Sequence, residues 1–126
     1  MPADIRNEAD VRLVVDTFYG GIDTDPVLGP YFAGIDLPAH LPKMYAFWSS
    51  VLFQTGVYRG RPFEPHATMP GLAPEHFDAW LARFRRTVDA CFAGPVAGEM
   101  KARAAQIASV FQWKLGLLTF VDERQP

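Results

Sequence analysis

Residues 74–92 read Pro74-Glu75-His76-Phe77-Asp78-Ala79-Trp80-Leu81-Ala82-Arg83-Phe84-Arg85-Arg86-Thr87-Val88-Asp89-Ala90-Cys91-Phe92, and this stretch decides the fold class. Phe77, Trp80, Leu81, Phe84, Val88 and Cys91 recur at three- and four-residue steps. That is the period of an amphipathic helix with one apolar face. Pro74 suits a first turn, where a missing N–H costs nothing, and Gly94-Pro95 breaks the run. Arg83, Arg85 and Arg86 are expected on a solvated face of this helix, and Cys91 as a small buried apolar side chain. His76 falls in the first turn, where a positive charge is disfavoured, so a neutral surface ring without a function is expected.

The neighbouring segments carry the same period. After the break, a last helix is expected from about Ala97 to Phe120, with Ile107, Val110, Phe111, Lys114, Leu117 and Leu118 along one stripe. At the other end, Val11, Val14, Val15, Phe18, Tyr19 and Ile22 form an apolar face, with Asn7 as N-cap and Asp10 in the capping-box position. Gly20-Gly21 weakens the end of that helix, and Asp25-Pro26 stops it. Pro26 is expected to open a short helix through about Phe32. A linker over Gly34 to Pro38 leads to a helix from about His40 to Gln54, with Pro42 in its first turn and Gly56 at its end. The connection from Gly56 to Pro74, carrying Pro62, Pro65 and Pro70, is expected to be largely irregular. No stretch reads as a strand. The expectation is one all-α domain spanning residues 1–126.

Composition narrows the function. A chain of 126 residues is long enough to bury a core without staples. Its ten Phe, four Tyr and three Trp supply more ring surface than a plain helical domain needs, a mild hint of an apolar ligand. The formal net charge is −2 and no block of Lys or Arg stands out, so nucleic acid and anionic membranes are poor partners. The lone Cys91 excludes an intrachain disulfide, and the N-terminus lacks an apolar leader, so the expected location is the cytoplasm. Neither Cys-x-x-Cys nor His-x-x-x-His spacing occurs, which argues against structural zinc. Nucleophile-elbow, phosphate-loop and dinucleotide signatures are absent.

What remains suits a flat apolar cofactor. From His40, one helical face carries Met44, Phe47 or Trp48, and Val51, polar at its start and apolar beyond. Such a face could lie over one side of a macrocycle with His40 near its rim. His66 sits in the proline-rich connection, where Pro65 and Pro70 limit how far its imidazole can wander. An imidazole in that setting can serve as an axial iron ligand.

Six segments in order then carry a resemblance. Thr17-Phe18-Tyr19, Leu28-Gly29-Pro30-Tyr31-Phe32, His40-Leu41-Pro42-Lys43-Met44 with Phe47-Trp48, the run from Tyr58 to His66, Trp80, and Gln106-Ile107-Ala108 are similar to the truncated haemoglobins. Within them the likeness is greatest to group III, the P-type lineage, and covers about Asn7 to Leu118. The chain lacks the glycine pairs that flank the distal helix in group I. The resemblance implies a shortened globin, a two-over-two helical sandwich around one haem b.

It also implies roles, position by position. His66 matches the proximal iron ligand. Tyr19 and Trp80 match the distal donors to a diatomic ligand, and His40 the residue that gates entry. Phe32 matches the ring stacked near the haem, Met44 bounds the ligand pocket, and Lys43 lies where it could pair with a propionate; Phe47 and Trp48 are expected as core or haem-contact rings with no chemistry of their own. Each neutral hydrogen bond contributes roughly 0.5–1.5 kcal/mol, so two donors would slow dioxygen escape by on the order of tenfold to a hundredfold. The expected function is reversible binding of dioxygen, NO or CO. The same donors could polarise peroxide, so a peroxidase-like or nitric oxide dioxygenase enzyme served by an external electron donor is the first alternative. A haem-free helical interaction or regulatory domain is the second. Gly20-Gly21 directly follows Tyr19, and each glycine costs about 1 kcal/mol relative to alanine in a helix. A loosely held Tyr19 is the consequence expected.

Overall fold

The computed structural model describes residues 2–32, 34–53 and 73–114. Five α-helices and one 3-10 turn account for most of them, and no strand occurs among the described residues. Helix α1 spans Glu8–Tyr19 and is followed by the 3-10 turn Ile22–Thr24; α2 is Gly29–Phe32, α3 is Leu37–Phe53, α4 is Pro74–Cys91 and α5 is Pro95–Lys114.

Each boundary has a local cause. Asn7 caps α1, its side-chain oxygen accepting the Asp10 N–H at 3.1 Å. Asp10 reaches back one residue further than a capping box would, to the Arg6 N–H at 2.9 Å. The helix ends at Tyr19, earlier than the apolar period suggests. Gly20 leaves in extended geometry, and Gly21 takes a left-handed φ of 73° that only glycine adopts freely. Ile22 stays buried, but on the 3-10 turn. Pro26 does not open a helix. The Asp25 carboxylate accepts the N–H groups of Val27 and Leu28, both at 2.9 Å, and forms a turn that delays α2 to Gly29.

Helix α3 begins at Leu37, before the expected start at His40, because the Asp36 carbonyl accepts the His40 N–H at 2.9 Å and so starts the ladder earlier. Pro42 therefore lies inside the helix, one turn in, and His40 follows the start by a turn as well. At α4 the expected bounds hold. Its free Ala73 N–H is taken by Nδ1 of His76 at 2.9 Å, so His76 is a half-buried capping ring, packed edge-on against Tyr31, and not a surface ring. Helix α5 starts at Pro95, where the Asp4 carboxylate accepts the N–H groups of Val96 at 3.0 Å and Ala97 at 2.8 Å. Its expected continuation to Phe120 falls outside the described residues.

The helices pack as two layers. α1 lies on α3 and α4 lies on α5, and the layers join through α1 against α4 and α3 against α5. Val11, Val14, Val15 and Phe18 of α1, Trp48 of α3, Phe84 and Val88 of α4, and Met100 and Ala104 of α5 form the shared core. Trp48 stacks on Phe84 at 5.0 Å and fixes the spacing between layers. Phe77, Ala108 and Phe111 make a second cluster between α4 and α5, with Trp80 packed against both.

Candidate functional site

The C-terminal end of α1 projects Tyr19 toward the start of α3. Its hydroxyl lies 2.9 Å from Nε2 of His40, and the two rings meet edge-on at 5.1 Å. Phe32 of α2 closes a second side at 5.8 Å, and Phe18 a third at 4.9 Å. Trp80 of α4 follows, 6.1 Å from Phe18 and stacked on Phe84 at 5.5 Å. Tyr19, Phe32, His40 and Trp80, far apart in sequence, thus belong to one line of rings across three helices and the short α2.

The chemistry of the Tyr19–His40 pair depends on who donates. With the proton on Nε2, the imidazole donates to the phenol oxygen and leaves the phenol O–H to point at a third group. Desolvation pushes the Tyr19 phenol above its ordinary ionisation range, so its neutral, hydrogen-bearing form persists to more alkaline pH than that of an exposed tyrosine.

His40, Met44, Phe47 and Val51 share one face of α3, and all four are half-buried although three are large and apolar. Trp48, on the flank of this face, and Ser49, on the opposite side of the helix, are buried in the core. Lys43 is exposed beside this face. Among the described residues no group of His, Cys, Asp or Glu gathers to hold a bare metal ion. Cys91 is half-buried, its Sγ 4.0 Å from the Thr17 hydroxyl.

One residue at this site escaped the sequence reading. Arg83, expected on a solvated face with Arg85 and Arg86, has a side chain only 18% exposed. Its Nε donates to the Phe18 carbonyl at 2.8 Å and one terminal nitrogen to the Gly20 carbonyl at 2.8 Å, while the other lies 3.4 Å from Asp25. The guanidinium also covers the Phe18 ring at 5.6 Å. Arg85 and Arg86 are exposed as expected. No signal within α4 separates Arg83 from its neighbours, since its partners lie on α1 and the turn after it.

The sequence pattern of the family described as bacterial-like globin matches residues 4–110. The chain belongs to the bacterial-like globins. It is 28% identical over 118 residues to the group 3 truncated hemoglobin ctb of Campylobacter jejuni, covering 89% of this chain and 93% of that protein. It is 32% identical over 76 residues to the group 1 truncated hemoglobin GlbN of a Nostoc species, over 60% of this chain and 64% of that one. The crystal structure of the group III truncated hemoglobin from Campylobacter jejuni superposes with a TM-score of 0.82 at 26% identity, covering 97% of this chain and 99% of that one. The all-α truncated-globin fold expected from the sequence is therefore the fold of this chain, and the family is one of haem-based ligand binding.

The described residues of this globin fit such a group. A flat apolar macrocycle needs large side chains that the protein itself leaves partly uncovered, and Phe32, Met44, Phe47 and Trp80 are of that kind: packed on the core, yet only half-buried. His66, the expected proximal ligand, lies outside the described residues. No helix of the described residues is long and apolar enough to cross a membrane.

Proposed function

We propose that this globin carries one haem b, held through His66, and reversibly binds dioxygen or another diatomic ligand on the opposite face. The observation that carries the reading is the meeting of a half-buried, desolvated phenol with an imidazole at 2.9 Å beside the rings of Phe18 and Phe32. Polar hydrogens are expensive to hold in such surroundings unless something there accepts them. Tyr19 is the first donor, its ionisation suppressed by burial. Trp80 offers its indole N–H as the second. His40 orients the phenol while it bonds to it, and opens the way to the ligand when it turns away. Phe32, packed edge-on against Tyr19, shields the phenol from water, Met44 and Phe47 offer apolar surface to the macrocycle, and the exposed Lys43 would pair with a propionate. Haem, when bound, supplies the iron centre at which such a gas is held.

The test is an absorption spectrum of the purified protein in its ferric, ferrous and ferrous-CO forms. A strong Soret band is expected, lost or severely weakened in His66→Ala. An unchanged band in that variant overturns the assignment of the proximal ligand, and a protein that stays colourless after haem addition overturns the function.

A further inference from the structure

Helix α1 stops at Tyr19. Were it to continue, the Phe18 carbonyl would accept the N–H of residue 22 and the Gly20 carbonyl that of residue 24. Instead Gly20 turns out of the helix, and the Thr24 N–H bonds to Gly21. The carbonyls on either side of Tyr19 are thereby released from the ladder, and both accept from the one guanidinium of Arg83 at 2.8 Å.

We propose that Arg83 is the positioning residue for Tyr19, a flat fork that fixes the Phe18–Tyr19 and Gly20–Gly21 peptide groups around it and so aims its hydroxyl. The fork acts from two sides. Through Asp25 it also holds the turn whose carboxylate caps Val27 and Leu28, and that turn leads into α2, which sets Phe32 against the Tyr19 ring. Arg83 stands three residues after Trp80 on α4, so the helix that carries the second donor also anchors the first. Both donors are registered to one rigid element despite the glycine pair between α1 and the 3-10 turn. An arginine suits this place because its planar donors span two carbonyls and a carboxylate at once, which a lysine ammonium cannot match in geometry.

The inference rests on Tyr19 facing the bound gas, and the test separates the two claims. Carbon monoxide is bound to the reduced holoprotein and its C–O stretching band recorded for wild type, Tyr19→Phe, Arg83→Gln, Arg83→Lys and Arg85→Gln. Oxygen dissociation is measured alongside, with amide exchange at residues 19–22 of the same holoproteins. Tyr19→Phe is expected to move the band to the frequency of a site with one donor fewer. Both Arg83 variants are expected to broaden it and shift it part of the way there, to speed oxygen loss roughly twofold to tenfold, and to accelerate exchange at residues 19–22. Arg83→Lys, which keeps the charge, should lie between wild type and Arg83→Gln, while the exposed Arg85→Gln stays at the wild-type values. A wild-type band in Tyr19→Phe removes the donor reading and this proposal with it. A shift in Tyr19→Phe with a wild-type band in Arg83→Lys overturns the positioning role alone, and does so even where Arg83→Gln fails to fold.

Discussion

A phenol can donate only while it keeps its proton, and desolvation, by penalising the phenolate, extends the range over which Tyr19 keeps it to more alkaline pH than an exposed tyrosine. An unperturbed tyrosine ionises near pH 10, the folded Tyr19 higher. Below about pH 10 the group therefore adds no pH dependence to stability. As pH rises from there through the folded value, the unfolded chain gives up its proton first and the folded state loses ground. Tyr19→Phe should remove that part of the alkaline decline, measured as the melting temperature between pH 8 and 11. The same variant should release dioxygen faster by roughly twofold to tenfold at neutral pH, the worth of one neutral hydrogen bond. An unchanged rate would take the donor role away from Tyr19.

At the scale of elements, this globin ties its helix ends with side chains from elsewhere in the chain. Asp4 holds the first turn of α5 from ninety residues away, and its carboxyl sits below the usual range, chiefly through the Val96 N–H and further through Ala97 and Ile5, against a desolvation that raises it. A carboxylate lowered in the folded state stabilises above its ordinary range and ceases to do so as pH falls through the folded value. Asp4→Ala should lower the melting temperature at pH 7, and the gap to wild type should close as the solution is acidified below pH ~4. A gap that persists at pH 2 would mean that packing, not the cap, was lost. Gly29 is a second fixed point. A Cβ there would come within 2.5 Å of the Asp23 carbonyl oxygen, so α2 lies against the 3-10 turn only because residue 29 has no side chain.

For the molecule as a whole, side chains of the protein alone fill the two-layer core built on Phe18, Trp48, Phe84 and Met100, and the α3 face from His40 to Val51 is only half-buried. On the proposed reading a haem would seat against that face, and to the extent that it binds the folded state alone it would add stability by mass action, about 4 kcal/mol at a thousandfold excess over Kd. Extraction of the haem should therefore lower the melting temperature by several degrees or more, with much of the helical signal kept below the transition. Equal melting of the two forms, followed by circular dichroism, would argue that nothing in this fold depends on the cofactor.

Periodicity and punctuation were enough for the helical class, for α4 from Pro74 to Cys91, and for the Asn7 cap, since these depend on neighbours within a turn or two. The order of short segments pointed to Tyr19, His40 and Trp80 as one group, and the fold gathers them along a single line of rings. Local reading could not see that α1 ends at Tyr19, that Pro42 is tolerated inside α3, or that His76 caps its own helix. Least of all could it single out Arg83 from three arginines on one helix. Its acceptors are two backbone carbonyls and a carboxylate brought to it by packing, and a carbonyl carries no mark in the sequence that it has left its helix.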